Sequence, residues 1–328
     1  MSAAHITPSL LRSHSFHALQ PGRRLIALGA VHGNETCGTR AILRVISELD
    51  GGTLRLQRGT LTLVPITNPL AYQKKQRMGE RNLNRNLHPN LAPQDFEDHI
   101  ANVLCPLLAA HDVLLDLHSF HSPGEPFVMI GPQDNTGSLE PFAHAAAEQA
   151  LALRLGPRRI VEGWLDTYAT GVAHRLARTP PASRAQQLIT DPRYGVGTTE
   201  YMRSSGGYAL TLECGQHQDP QAPETAWRAI CNALAHLQLV DEPAPAATTG
   251  IEFLRLSEVM DRLHTDDLFS RNWASYDSLR AGQEIGMRHD GTPVLAPQDG
   301  FIVFPNASAL PGNEWFYFAS ASTRDLGD

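Results

Sequence analysis

The sequence predicts an α/β fold, and three observations carry that prediction. Short apolar runs alternate with amphipathic segments over roughly the first 240 residues. A Pro/Ala/Thr-rich stretch, 241–250, then interrupts the pattern. Beyond it, brief apolar runs are separated by turn residues. Alternating strands and helices describe a sheet covered on both faces, and the later pattern describes a small all-β unit. A chain of 328 residues is about twice the usual domain length, which agrees with two units. The boundary is placed near residue 245, giving a larger α/β unit over 1–245 and a small β-unit over 246–328.

The elements follow in order. Arg24–Ala30 is a short apolar run that stops at His32-Gly33-Asn34 and reads as a strand. Ala41, Ile42, Val45, Ile46 and Leu49 recur at helical spacing over Thr39–Leu49, and Asp50-Gly51-Gly52 ends that helix. Thr60–Ile66 is a second strand, Gln94–Ala110 a helix and Val113–Leu117 a third strand. Phe127–Ile130 is a further strand, followed by a helix over Leu139–Leu153. Tyr208–Leu212 is a strand and Ala222–Leu239 a long helix. The Pro-, Gly-, Arg- and Thr-rich segment Ala169–Gly207 is expected to be a surface excursion near the site, with some helix around Ser183–Ile189.

Composition narrows the function. A formal net charge of -7 lacks the basic face that a nucleic-acid partner requires, yet local arginines can still make a cleft attractive to anions. Cys37, Cys105, Cys214 and Cys231 form no C-x-x-C pair, so neither a zinc ribbon nor a redox dithiol is suggested. No apolar run reaches membrane-spanning length. These features fit a cytoplasmic protein outside the membrane, and length and composition are compatible with a homo-oligomer.

The chemistry is concentrated at predicted strand ends, where sites form in open α/β sheets. His32-Gly-Asn-Glu35 follows the first strand, and His118 closes Leu114-Leu-Asp-Leu-His118. Two imidazoles and one carboxylate leave a fourth position open, the pattern of catalytic zinc. Asp116 lies on the same strand face as His118; it either supports that ligand or is a buried polar group bonded to backbone. Glu213, at the end of another strand, is a candidate general base. Between the metal motifs runs Arg77-Met-Gly-Glu-Arg-Asn-Leu-Asn84-Arg85, too polar for a core element. Its guanidinium groups suit bidentate carboxylate binding, and Arg77 could hold a developing oxyanion.

Taken in order, His32-Gly-Asn-Glu35, Arg77 through Asn84-Arg85, Asp116-Leu-His118 and Glu213 resemble the motifs of the succinylglutamate desuccinylase/aspartoacylase family, a branch of the zinc carboxypeptidase-like fold. The resemblance implies a mixed sheet covered by helices, with a small C-terminal β-domain capping or flanking the site. It implies one Zn2+ per chain, held by His32, Glu35 and His118, with Glu213 as general base and Arg77 as the carbonyl-polarising arginine. Asn84 and Arg85 are similar to a pair that grips a substrate carboxylate, and Arg203 to an arginine that binds a second one. Tyr317, in Asn313-Glu-Trp-Phe-Tyr317, resembles a tyrosine that reaches back to the site and equally fits a packed strand residue. The family usually writes Asp-Leu-Asn-Arg where this chain has Asn82-Leu-Asn84-Arg85, a departure expected to alter the charge around the arginines. The implied activity is hydrolysis of a linear amide in a small, carboxylate-bearing N-acyl amino acid.

Two other readings compete. One is a carboxypeptidase-like peptidase or an amidase on a larger substrate. The other is a non-catalytic metal-binding or docking module, since Asp290–Gly300 resembles the hairpins of biotinyl/lipoyl-type domains. That segment has no lysine at a carrier position, and the intact ligands, base and arginines disfavour a dead enzyme.

Overall fold

The computed structural model describes residues 7–178 and 190–325. Strand β2 (Gln20–Gly29) shows why its sequence makes a central strand. Leu25, Ile26, Ala27 and Leu28 are all fully buried. Leu25 and Ala27 join one apolar cluster, whereas Ile26 and Leu28 join another on the opposite face. Alternating side chains thus find a core on either side, as a sheet covered on both faces demands. Each such leucine or isoleucine contributes roughly 1.5–3 kcal/mol by leaving water.

One large mixed sheet organises the fold. After β1 (His14–His17) and β2 come β3 (Arg58–Val64), β4 (Val113–Phe120), β5 (Phe127–Met129), β6 (Arg159–Glu162) and β7 (Tyr208–Gln216). The C-terminal strands include β8 (Glu252–Asp261), β10 (Ser278–Leu279), β13 (Gly300–Val303) and β14 (Glu314–Ala321). These eleven lie in the order β1-β3-β2-β4-β7-β5-β6-β8-β14-β13-β10. Strands β3, β2, β4 and β7 run parallel, β5 is antiparallel to β7, and β6 pairs in parallel with β8. The sheet therefore continues across the proline-rich stretch into the C-terminal strands. A second sheet orders β12 (Pro293–Leu295), β11 (Glu284–Met287) and β9 (Leu268–Phe269) side by side.

Helices α1 (Cys37–Asp50) and α2 (Pro69–Lys74) precede α3 (Phe96–Ala109), α4 (Ala145–Ala152) and α5 (Trp164–Arg178). Helices α6 (Thr198–Ser204) and α7 (Ala222–His236) follow. Among the described residues, no helix is long and apolar enough to cross a membrane.

The α/β architecture matches the expectation, with differences at particular places. The helix expected over Leu139–Leu153 begins only at Ala145, because 139–144 is irregular and forms a bridge between Asn135 and Phe142. Within its described residues, 169–178 and 190–207, the segment Ala169–Gly207 is not a surface excursion. It completes α5 and contains α6, whose Thr198, Glu200, Met202 and Arg203 are buried. Its short polar runs hid two helices that are stabilised by tertiary packing. The helix expected around Ser183–Ile189 lies outside the described residues, apart from the approach at Thr190.

Gly33 is required by close approach. A Cβ there would sit 2.0 Å from the Ala71 carbonyl carbon, where α2 crosses the loop after β2. Asn68 holds that crossing: its backbone N–H donates to the Ala30 carbonyl, and its side chain caps α2 by accepting from Ala71 N. Gly33→Ala is expected to destabilise the protein by about 1–3 kcal/mol through overpacking, read as a lowered denaturation midpoint.

Candidate metal centre and substrate cavity

The parallel strands β2, β4 and β7 end side by side, and their register brings the key residues together. Leu117 pairs with Gly29 on one side, and His118 with Glu213 on the other. His32, Glu35 and His118 are buried, and one ligand atom from each lies within 4.8 Å of the others. Glu35 is the hub. Its Oε1 lies 2.9 Å from His32 Nδ1 and accepts from Arg77 Nη1 at 2.9 Å. Its Oε2 lies 2.9 Å from His118 Nδ1 and accepts the Ser119 backbone N–H.

The hydrogen-bond pattern sets the His32 tautomer. Asn82 Oδ1 accepts the Asn84 backbone N–H at 2.9 Å, which identifies that atom as the oxygen, and it faces His32 Nε2 at 3.0 Å. An oxygen can only accept there, so Nε2 carries the proton and Nδ1 presents its lone pair. Burial, and then Arg77, lower the His32 pKa to about 4, so the ring is neutral near pH 7. A neutral nitrogen lone pair and a carboxylate oxygen 2.9 Å apart are two acceptors facing each other, an arrangement that a cation between them satisfies. The donor set therefore fits a divalent metal. On the far side of the site, His118 Nε2 lies 2.9 Å from Asp116 Oδ2 without hydrogen-bond alignment, and Asp116 also accepts from Thr198 Oγ1. Of the two readings of Asp116, the structure favours support of His118.

Asn82 thus touches His32, a contact that reading the loop as a change of charge among the arginines had not suggested. The arginine loop is organised by acids that sequence reading missed. Glu97, fully buried, accepts backbone N–H groups from Gly79, Glu80 and Arg81, while Arg81 pairs with Asp95 and Asp98. This ties the loop down and leaves Arg77 and Arg85 to the cavity.

A single cavity is lined by His32, Glu35, His118, Glu213, Arg77, Asn84, Arg85, Arg203 and Tyr317. Glu213 is buried, and its Oε2 has no hydrogen-bond partner among the described residues. Burial pushes its carboxyl up to about 8; Glu35 and Asp116 add to the rise, while His118 and Arg77 oppose it. Arg77 is half exposed, so donors beyond the one on Glu35 remain accessible. Arg85 is nearly buried, donates to the Asn84 carbonyl, and stacks 4.6 Å over the Trp164 ring centroid. Among the described residues it makes no ion pair. Asn84 Oδ1 accepts the Thr198 N–H at the start of α6. The Tyr317 hydroxyl is buried without a hydrogen-bond partner among the described residues, and its ring packs 5.4 Å from that of Trp164. Tyr317 is thus both a packed strand residue and part of the cavity wall.

Arg203 departs from expectation. It lines the cavity, but its Nε donates to Glu148, its Nη1 to Glu140 and its Nη2 to the Ala209 carbonyl, with Glu200 at 3.6 Å. A guanidinium so engaged is not free to grip a second substrate carboxylate. Other lining residues that sequence reading missed include Trp164, Ser119 and His217. Ser119 Oγ lies 2.8 Å from His217 Nδ1. His217, four residues beyond Glu213, could have been suspected from its strand-end position.

Residues 21–162 match the family model of the succinylglutamate desuccinylase/aspartoacylase catalytic domain. The family resemblance read from the motifs holds. Solved structures of similar fold include a succinylglutamate desuccinylase/aspartoacylase from Rhodobacter sphaeroides, 19% identical with a TM-score of 0.69, covering 95% of this chain and 90% of that one. The product-bound ectoine utilization protein EutE (DoeB) from Ruegeria pomeroyi is 18% identical with a TM-score of 0.68, covering 94% and 88%. A succinylglutamate desuccinylase from Vibrio parahaemolyticus is 16% identical with a TM-score of 0.66, covering 95% and 92%. At these identities the structures establish the shared fold. No match is found among curated protein sequences.

The raised Glu213 pKa has a consequence for stability. Because the folded pKa, about 8, exceeds the ordinary 4.5, the stabilising contribution of the protonated form is complete below pH 4.5. It is lost as pH rises through 8. In metal-free protein, Glu213→Gln is expected to weaken the fall in melting temperature between pH 5 and 8, as followed by circular dichroism.

Proposed function

We propose that the protein is a zinc-dependent deacylase that hydrolyses the amide of an N-acyl amino acid. The observation that carries this reading is the buried His32–Glu35–His118 donor set beside the unpartnered Glu213 carboxylate. Zinc held by His32, Glu35 and His118 would supply Lewis-acid activation of water and carbonyl.

The chain's own residues do the remainder. Glu213, ionised, takes a proton from the attacking water and returns it to the departing amine nitrogen. Burial favours the protonated carboxyl that delivers a proton to the amine, and the charge of a bound zinc would favour the ionised form that accepts one. Arg77 holds the carbonyl oxygen as charge develops on it. Arg85, stacked on Trp164 and lacking an acidic partner, binds the α-carboxylate, and Asn84 carries Arg85 against α6. Tyr317 offers a buried hydroxyl from beside Trp164. The aromatic residues Trp164, Phe304 and Tyr317 that line the cavity favour a small amide over a peptidase substrate.

The proposal extends to organisation. Residues 1–245 would form the catalytic unit and 246–328 the flanking β-unit, which contributes Arg255, Phe304, Glu314 and Tyr317 to the cavity. The four free cysteines accord with a cytoplasmic setting.

The test is amine release from a panel of N-acetyl- and N-succinyl-amino acids, with and without chelator. Activity that vanishes with chelator and returns with zinc is expected; chelator-insensitive turnover would refute the metal's role. Glu213→Gln should retain stoichiometric zinc by elemental analysis yet lose about 10²–10⁴ in kcat. Retained turnover would remove Glu213 from the mechanism.

A further inference from the structure

An aromatic wall joins two ends of the cavity. Arg85 lies 4.6 Å over Trp164, Trp164 is 5.4 Å from Tyr317, Tyr317 6.3 Å from Phe304, and Phe304 6.0 Å from Phe120. All five residues line the cavity. At the Phe120 end the chain has just passed His118, and the His217 N–H donates to the Phe120 carbonyl. The register of β4 against β7 shifts between His118 and Phe120, so that His118, Ser119 and Phe120 in succession all line the cavity. Phe304 is held at φ 52°, in the left-handed region that an aromatic residue rarely adopts. Strain of that kind gathers at ligand-binding walls. An amide whose α-carboxylate sits at Arg85 and whose carbonyl sits at the metal donor set sends its acyl group toward Phe120.

That end carries a polar group that the hydrolytic chemistry leaves unused. Ser119 Oγ lies 2.8 Å from His217 Nδ1, and Asn34 Nδ2 lies 3.4 Å from His217 Nε2. An amide N–H can only donate, so Nε2 accepts and Nδ1 carries the proton that Ser119 receives. The Ser119 hydroxyl proton is then uncommitted among the described residues. Ser119 is buried and its backbone N–H is fixed on Glu35, so its side chain is held at the cavity. His121, two residues on, lines the same cavity with Nε2 2.8 Å from the Pro305 carbonyl. A carbonyl only accepts, so Nε2 holds the proton and Nδ1 presents a lone pair. Burial lowers both imidazoles below their ordinary value, which keeps them neutral near pH 7. One neutral donor and one neutral acceptor therefore stand at the acyl end.

We propose that Ser119 and His121 select an α-hydroxyacyl group on the substrate, with His217 and Asn34 as positioning residues that act through Ser119. A hydroxyl one carbon beyond the scissile carbonyl accepts from Ser119 and donates to His121 Nδ1. A methyl in the same place leaves the buried Ser119 hydroxyl unpaired, and that penalty is the source of discrimination. A charged acyl tail gains little from two neutral groups. The inference rests on the deacylase reading and names the acyl class taken at the same site.

The experiment uses the zinc-loaded full chain and the amino acid whose N-acetyl derivative is cut fastest. Its N-glycoloyl and N-propionyl amides differ only by a hydroxyl in place of a methyl. The glycoloyl amide is expected to show a kcat/KM about fivefold or more above the propionyl one. Ser119→Ala should lose that preference, and His217→Ala should lose it too. His217→Asn, whose amide nitrogen can stand where Nδ1 does, should restore it. The double variant should discriminate no worse than Ser119→Ala alone, because His217 acts through Ser119. Zinc content and melting temperature are followed in each variant. A propionyl preference in the unaltered chain, or a ratio unchanged in Ser119→Ala, would overturn the proposal while cleavage of the N-acetyl amide keeps the deacylase reading intact. Inhibition by free glycolate against free propionate reads the same preference without a variant, and stronger inhibition by propionate would also overturn it. Should every amide stay uncut, the deacylase reading fails and this proposal falls with it.

Discussion

The Glu35 carboxylate, buried between two imidazoles and an arginine, is the interaction on which the rest of the structure depends. An ionised acid in a dry interior is tolerated only if its oxygens are satisfied. Here each oxygen faces a histidine nitrogen, one takes Arg77, and the other takes the Ser119 amide. Burial opposes ionisation, but hydrogen bonding from His118 and its positive charge hold the group well below the usual carboxylate range. Three distant stretches of chain must converge to achieve this. The convergence fixes the ends of β2 and β4 and the position of the arginine loop.

A second requirement follows from the first. The donor atoms must be aimed, and the aim comes from outside the set. Asn82 holds His32 through Nε2, and Asp116 faces His118 through its own Nε2. Both histidines are left with Nδ1 toward Glu35. The two supports differ in charge, one a neutral amide and the other an acid, so the imidazoles stand in unequal fields. Thr198, at the start of α6, contacts both Asp116 and Asn84 and so links the His118 side of the cavity to the Arg85 side.

The cavity divides its charges in a way that residue types alone do not reveal. Four arginines line it, yet they are not equivalent. Arg77 shares Glu35, Arg203 is surrounded by glutamates, Arg255 pairs with Asp166, and Arg85 rests on Trp164 without an acid. Counting arginines predicts attraction for any dicarboxylate. Pairing them with their neighbours leaves one guanidinium without an acid among the described residues and one corner that is acidic.

What was legible in the sequence was whatever local periodicity and strand-end placement encode. The strand at 24–30, the helix after it, and the His32, Glu35, His118 and Glu213 positions follow from apolar runs that stop at polar residues. Asp116 and His118 share a face because alternation along a strand is a local rule. The helices α5 and α6 were missed because their stability comes from burial of scattered residues against distant elements, which no local pattern records. Asn82 looked like a change in charge among arginines; only the folded loop turns it toward His32. Arg203 looked free because the glutamates that occupy it lie 63, 55 and 3 residues away. The sequence by itself determined which residue types stand at strand ends, since that order is written along one dimension. Tertiary structure alone decided which charges are already spoken for, because Coulomb attraction acts through space and takes no account of position along the chain.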